Sequence, residues 1–351
     1  MKREELQKLC SDQGLLLLGL VDLGPEPRFQ VFEQWLSEGQ HAGMQFLENN
    51  KQLREDPRGL LPDSVQALVF ALPYYQGDKL NAALQGRYRV AQYARLRDYH
   101  KSMKLKATRI LSSLQEKNPN LEGRVTIDSA PLLERALAAR TMRGFIGKNT
   151  CFIHPDHGSL MLIGEILLSQ PLTLSDPVAT VDPNQRNEDG GCGTCRRCQV
   201  NCPTGALDTA YKLDARKCLA YWTIEHRGTI PYEFWPYLPT YVFGCDLCQL
   251  ACPYNRKSLL TDEPTRPDLI NPDLFDLATM DQKRYEAWMG GTPLTRAKRE
   301  GLRRNALIAL AVTQDVRLAE ACAFVKAEDA DVLHQTLRQI ESWISNGGPL
   351  R

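Results

Sequence analysis

The sequence predicts an α+β fold overall in three consecutive parts: an α/β part over residues 1–180, whose sheet could be doubly wound or of α+β type, a cysteine-dense part over 181–260 and a helical part over 261–351. Three observations predict it. Strand-length apolar runs and helical patterns mix in the first half without the strict βαβ rhythm of a doubly wound sheet. Eight of the eleven cysteines lie between Cys192 and Cys252. From Leu294 to Ser345 the apolar residues recur at helical spacing, with Leu302, Ala306, Leu307 and Leu310 on one face. A chain of 351 residues suits two or three domains at roughly 100–200 residues each.

The elements follow in order. Glu4–Asp12 reads as a short helix. Leu15–Val21 and Ala67–Leu72 are apolar runs of strand length. Arg124–Ile127 alternates as a strand does and ends at Asp128. Pro131 then stands where a first helical turn accepts it, and Leu132–Ala139 continues as a helix. Ser159–Leu168 is a further apolar run, broken by one acid, Glu165. Pro171 to Gly191, with Pro177 and Pro183 and a polar end, reads as a linker. Two or three helix pairs in the tail would make a small helical-repeat module of HEAT-like type.

Composition narrows the function classes. The formal net charge is +1, so nucleic-acid contact must come from a local patch and not from a global field. The run Leu15–Val21 is far short of the about 20 residues that span a bilayer. A cytoplasmic location is expected, with no membrane partner, and there clustered cysteines point to metal and not to disulfides. Cys10, Cys151 and Cys322 stand alone and read as small buried apolar residues.

The first cysteine run is Cys192-x2-Cys195-x2-Cys198-x3-Cys202-Pro203, the spacing of bacterial two-cluster ferredoxins. Three thiolates on a tight loop reach three corners of one cubane, and the fourth, past a short turn, ligates the other cluster. The second run, Cys245-x2-Cys248-x3-Cys252-Pro253, lacks its first cysteine, since position 242 is Val242. Cys218 is the ligand that fills the gap. Cys192, Cys195, Cys198 and Cys252 then hold one [4Fe–4S] cluster, and Cys218, Cys245, Cys248 and Cys202 the other. Structural zinc would suit the two Cys-x2-Cys pairs, but would leave four cysteines and both Cys-Pro steps unexplained. The cysteine part is therefore ferredoxin-like, and two one-electron carriers imply a site elsewhere in the chain for them to feed.

Several motifs together resemble the epoxyqueuosine reductase family, cobalamin-dependent iron–sulfur enzymes of queuosine biosynthesis in tRNA. They are Arg54-Glu55-Asp56-Pro57-Arg58 before Leu60-Leu61-Pro62, and Tyr93-Ala94-Arg95 leading to Asp98-Tyr99-His100-Lys101. Asp128 follows, before Pro131 and Glu134-Arg135-Ala136-Leu137-Ala138, and then Gly147-Lys148-Asn149-Thr150. Cys218 with Tyr221 and Thr223-Ile224-Glu225, and Phe243-Gly244-Cys245-Asp246-Leu247-Cys248-Gln249, complete the set. The match covers most of the chain. It departs at Glu225-His226-Arg227-Gly228, where family members commonly have Lys-Gly.

The resemblance implies that residues 1–180 cradle a base-off cobalamin, akin to the domain of reductive dehalogenases. Consistent with this, Asp98-Tyr99-His100 begins like the Asp-x-His-x-x-Gly signature of histidine-ligated cobalamin, but position 103 is Met103. It implies cobalamin contacts from Arg54, Ala91, Asp128, Lys148, Asn149, Phe152 and Ile163. By residue type alone Asp128 reads as a helix N-cap. The resemblance makes it the proton donor, a role that needs burial to outweigh a helix N-terminus in setting its proton affinity. Asp98, Tyr99 and His100 read equally as substrate-positioning groups or as a satisfied polar cluster. In the tail, Arg296, Lys298, Arg299, Arg303 and Arg304 face a single acid, Glu300, over one stretch. Alone that is a solvated charged face; the resemblance implies a tRNA grip that includes Arg303 and Arg304. The implied reaction is reduction of epoxyqueuosine to queuosine in the anticodon loop, the final step of the pathway. An external electron donor of ferredoxin or flavodoxin type and a monomeric state go with it.

Overall fold

The computed structural model describes residues 1–77, 90–174, 191–327 and 331–347. Contacts divide the chain into two units. The first comprises Met1–Tyr75, Tyr99–Ala215 and Leu247–Asp262, and the second Gln76–Asp98, Arg216–Asp246 and Glu263–Arg351. The cysteine-dense part expected at 181–260 is thus shared, with 216–246 in the second unit and the rest in the first. Most of the expected linker, including Pro177 and Pro183, falls outside the described residues.

In the first unit, helix α1 (Arg3–Ser11) buries Leu6 and Cys10. Strand β1 (Leu16–Asp22) follows, then the short helices α2 (Phe29–Ser37) and α3 (Lys51–Glu55) and strand β2 (Gln66–Pro73). Helix α4 (Tyr99–Lys117) leads to β3 (Gly123–Ile127) and α5 (Glu134–Arg140). A two-stranded ribbon, β4 (Phe145–Ile146) with β5 (Phe152–Ile153), precedes β6 (Met161–Leu168). The main sheet has the order β1-β2-β6-β3 and is antiparallel throughout. The first part, read from sequence as α/β with a doubly wound sheet still open, is instead built on an antiparallel sheet and is α+β.

β2 is the centre of this sheet. Its residues from Ala67 to Leu72 are almost fully buried on both faces, which is why it reads as a continuous apolar run and does not alternate. Residues in register share a face. Val69 opposes Glu165, and Glu165 opposes Thr126 on its other side. That face, with Ala67, Ala71 and Leu167, is covered by Leu137, Ala138 and Ala139 of α5. α4 packs on β3 and β6, burying Met103, Ala107 and Ile110. Gly164 opposes Phe70 and Ile127; a Cβ there would come within 2.6 Å of Ile127 and 2.8 Å of Phe70, so only glycine permits the strands this packing.

Two four-residue helices, α6 (Arg197–Val200) and α7 (Leu247–Leu250), carry cysteines of the first unit. In the second unit α8 (Leu274–Thr279) is capped by Asp273, whose carboxylate accepts the Phe275 and Asp276 N–H groups. α9 (Gln282–Met289), α10 (Lys298–Val312), α11 (Leu318–Lys326) and α12 (Asp331–Ser345) follow. α10 is buried on all sides from Gly301 to Ala311 and packs against α8, α11 and α12. Neighbours surround it, so even Arg303, Arg304 and Asn305 are buried with its apolar residues.

Candidate active site and cysteine ligand set

Asp128 stands one residue past β3, at φ +53°. Few non-glycine residues adopt this left-handed conformation, though Asp tolerates it better than most. Three residues hold it. Its backbone N–H donates to Glu134 Oε1 at 2.7 Å. Its Oδ2 accepts the Tyr99 hydroxyl at 2.7 Å and lies 3.0 Å from His100 Nε2. Tyr99 and His100 open α4 and stack on one another, with ring centroids 4.1 Å apart. The Asp128 carboxylate is 56% exposed. The helix after it begins only at Glu134, with Leu133 at the N-cap position, so Asp128 is not a cap. Of the expected polar trio, Tyr99 and His100 meet at Asp128. Asp98 belongs to the second unit, where its N–H donates to Gly291 O at 2.8 Å.

Behind Asp128 lie two further carboxyls. Glu165 is wholly buried, and its Oε2 accepts the Thr126 hydroxyl at 3.1 Å. Burial, then the nearby Glu134 and Asp128 charges, raise its proton affinity well above the carboxylate range. Burial and the Asp128 charge push Glu134 up to about 8, against the weaker pull of Arg135 and His100. Sequence reasoning had the signal for Glu165, a lone acid inside an apolar strand, and did not use it.

The first cysteine set converges. Cys192, Cys195, Cys198 and Cys252 line one cavity of about 360 Å³ together with Lys148, Asn149 and Tyr254. Burial and the neighbouring cysteines raise the Cys198 thiol, and burial, with smaller contributions from Cys192 and Cys195, raises Cys252. The loop is tied down from three sides. Lys148 Nζ donates to Gly193 O at 2.6 Å and Cys195 O at 3.0 Å. The Tyr254 hydroxyl donates to Gly191 O at 2.7 Å, and its ring meets Phe145 edge-on. Asn255 Nδ2 donates to Gln249 O at 2.7 Å, while Gln249 donates to Ser159 O, which fixes the second run against the end of β6. Among the described residues no three His, Cys, Asp or Glu side chains close on a single metal ion. A cubane asks for something different, four thiolates around a cluster-sized space, and the cavity fits it. Asn149 is buried with its Nδ2 unpartnered, a donor available to an acceptor in that cavity. Lys148, expected against a corrin, is engaged by the cysteine loop.

The other cysteines are placed as follows. Cys202 ends the loop after α6 with its thiol 3.7 Å from the Thr204 hydroxyl, and Cys248 lies on α7. Cys218 and Cys245 belong to the second unit. Cys218 leads into a π-helical turn, Tyr221–Glu225, a conformation frequent at functional sites. Gly244, at φ +73°, precedes Cys245 and donates its N–H to the Thr223 hydroxyl at 3.0 Å.

The remaining expected residues spread over both units. Arg54 is buried, donates to Asn49 O and lies over the Phe32 ring. Phe152 and Ile163 pack in the core of the first unit. Ala91, in the second, donates its N–H to Phe243 O at 2.9 Å. Beside it Gln92 is 1% exposed, its N–H donating to Asp246 Oδ2 at 2.8 Å, and neither side-chain amide atom has a partner among the described residues.

The arginines of α10 overturn one expectation. Arg303 and Arg304 are 0% and 1% exposed. Arg303 Nε donates to Ala278 O at 2.8 Å, and Arg304 donates to the carbonyls of Trp222, His226 and Gly228. Their guanidinium groups satisfy backbone carbonyls and are closed to phosphate. Sequence spacing did not show that α10 is central. Lys298 is exposed, and Arg296 is half-exposed and paired with Glu225 at 2.8 Å.

A family model described as "Epoxyqueuosine reductase QueG, DUF1730" matches residues 54–129, the stretch that carries Tyr99, His100 and Asp128. A "4Fe-4S double cluster binding domain" model matches residues 191–255. The epoxyqueuosine reductase of Xanthomonas campestris pv. campestris is 35% identical over 314 residues, covering 87% of this chain and 85% of the relative. The chain belongs to the epoxyqueuosine reductase family. The Escherichia coli (strain K12) epoxyqueuosine reductase is 34% identical over 320 residues, 88% of this chain and 80% of the relative. The solved epoxyqueuosine reductase of Streptococcus thermophilus superposes with a TM-score of 0.83 at 26% identity, covering 99% of this chain and 91% of that one. A second solved epoxyqueuosine reductase, crystallised with an epoxyqueuosine-modified tRNA stem loop, superposes with a TM-score of 0.79 at 24% identity, over 95% and 88% of the two chains. Epoxyqueuosine reductases are oxidoreductases, and so is this family member. No helix of the described residues is long and apolar enough to cross a membrane.

Proposed function

We propose that the chain reduces epoxyqueuosine in the anticodon loop of tRNA to queuosine, the final step of queuosine biosynthesis, with base-off cobalamin and two [4Fe–4S] clusters as cofactors. The observation that carries the reading is Asp128. A carboxyl is fixed in a left-handed turn past a strand end, with a tyrosine hydroxyl and a histidine on one oxygen and more than half of its side chain exposed to solvent. That arrangement suits an acid that meets a large, external substrate. Family membership supplies the reaction.

Asp128 holds a proton toward the epoxide oxygen as that oxygen leaves. Tyr99, and Asp98 from the neighbouring motif, position the nucleoside, while His100 fixes the carboxyl. Cys192, Cys195, Cys198 and Cys252 hold one cluster, and Cys218, Cys245, Cys248 and Cys202 the other. When bound, the clusters supply one-electron carriers and the cobalamin a reducible metal centre for two-electron deoxygenation. Within the second unit, the unpartnered, buried Gln92 amide is a group whose chemistry suits a ring fringed with amides that both donate and accept. Its proposed contacts, Ala91 in the second unit and Arg54, Lys148, Asn149, Phe152 and Ile163 in the first, come from family resemblance alone.

The division of labour proposed is catalysis by residues 1–180, electron transfer by 181–260 and tRNA binding by a HEAT-like module over 261–351. Phosphate contacts fall to Lys298 and Arg296 in place of Arg303 and Arg304. The enzyme acts as a cytoplasmic monomer served by a ferredoxin- or flavodoxin-type donor. Asp128→Asn should retain the iron–sulfur and cobalamin absorption spectra and tRNA affinity, while turnover of an epoxyqueuosine-modified stem loop drops about 100-fold or more. Near-normal turnover in that variant would overturn the assignment.

A further inference from the structure

Removing an epoxide oxygen as water breaks two C–O bonds, forms one C=C π bond and consumes two electrons and two protons. The electrons come from the external donor proposed above. Asp128 carries one proton at a time, and a bound nucleoside would shield its exposed carboxyl from bulk water. A second proton has to be held close by.

We propose that Glu134 and Glu165 form a proton-holding carboxyl pair behind Asp128 that supplies the second proton of each turnover. The proposal rests on the reading of Asp128 as the acid. Glu134 opens α5 and accepts the Asp128 N–H at 2.7 Å, so it is fixed to the residue it would serve. Glu165 stands on β6 opposite Thr126, two residues before Asp128. It is wholly buried; Oε2 accepts one hydroxyl at 3.1 Å, and Oε1 has no partner among the described residues. One hydroxyl does not compensate a buried carboxylate for its lost hydration, so the proton stays on. The groups acting on Glu134 are Asp128, Arg135 and His100, and those acting on Glu165 are Glu134, Asp128 and Thr126. Burial and like charge dominate both lists, and Glu134 holds its proton up to about pH 8. Three neighbouring carboxyls do not all ionise.

The proton balance is simple. Asp128 gives its proton to the leaving oxygen and becomes a carboxylate. Glu134 passes its proton to Asp128 and becomes the carboxylate in turn, drawing on Glu165, and solvent refills the pair after product leaves. Glu134 acts through Asp128 and is a positioning and relay residue.

The test uses the full chain loaded with its cofactors, with Glu134→Gln, Glu165→Gln and Glu134→Asp measured beside Asp128→Asn. Glutamine keeps the acceptor for the Asp128 N–H and removes the titrating proton. In the wild type, kcat should fall as pH rises through about 8. In Glu134→Gln, kcat at neutral pH should be lower by about ten-fold or more and flat through that range, with KM unchanged. Glu165→Gln should also lower kcat, and Glu134→Asp should restore the alkaline fall. Independently of turnover, the cofactor-free protein should show the infrared band of protonated carboxyl groups at neutral pH, weakened by either glutamine. A wild-type kcat and pH profile in Glu134→Gln, with Asp128→Asn inactive, would overturn the proposal and leave Asp128 as the acid. An active Asp128→Asn would remove the acid reading and the proposal together.

Discussion

A single buried acid shows what one residue does to this protein. Glu165 sits in the most apolar part of the sheet, and burial raises its proton affinity far above that of an unfolded glutamate. Glu134 is raised in the same direction, to about 8. A group whose affinity is raised by folding contributes stability that is full below its unfolded value. That contribution fades as pH climbs through the folded one. The wild type should therefore lose stability steadily from mildly acidic pH to beyond pH 8. Glu165→Gln, which cannot ionise, should flatten this loss, read as a smaller drop in melting temperature between acidic and alkaline buffer. At this scale the sequence was partly legible. Asp128 was visible from its motif, and the cysteines from their spacing. The grouping of Glu134 and Glu165 behind Asp128 was not, because it needs the Thr126–Glu165 register of β3 with β6, and no local pattern encodes that register.

Helix α10 makes the corresponding point for elements. Its charge pattern looks like a basic face, yet the arginines run inward because α8, α11 and α12 surround it. Arg304 holds three carbonyls of the turn that follows Cys218, and Asn305 donates to Thr223 O at 2.9 Å and Val242 O at 2.7 Å. Removing Arg304 leaves buried acceptors unpaired, so Arg304→Ala should cost about 3 kcal/mol or more in denaturant unfolding. Lys298→Ala, at an exposed position, should stay within about 0.5 kcal/mol of wild type. The same Lys298→Ala variant should weaken binding of a tRNA stem loop and make it less salt-dependent. Helical periodicity gave α10 its place in the chain but not its surroundings. An apolar stripe tells which face is buried, and it is silent on whether the opposite face is buried as well.

For the whole molecule, iron content is the decisive count. Anaerobically reconstituted protein should bind about eight iron atoms per chain, two cubanes of four. Cys252→Ser and Cys218→Ser should each remove about half, from different sets, and the double variant should lose nearly all. Zinc in their place, at one or two ions per chain, would return the cysteines to a structural role. The three-part division in sequence described composition well and connectivity poorly. The mixed, cysteine-dense and helical stretches are all present, but 76–98 leaves the first part to join the tail, and 216–246 leaves the cysteine part to do the same. Nothing in composition marks such exchanges. They depend on pairings such as Ala91 N–H with Phe243 O and Asp98 N–H with Gly291 O, between residues far apart in the chain.

That interleaving has a consequence for biogenesis. The chain changes unit after residues 75, 98, 215, 246 and 262. On the ribosome the first unit lacks its last segment until residue 262 has emerged, and the second, begun at residue 76, waits for the C-terminus. All eight cysteines from Cys192 to Cys252 are translated before the helices that complete the second unit. Iron–sulfur delivery then meets either a nascent chain with unfinished walls or a finished protein. Fragments cut at 180 or 260 would strand a piece of each unit, so either fragment should load far less iron than the 351-residue chain.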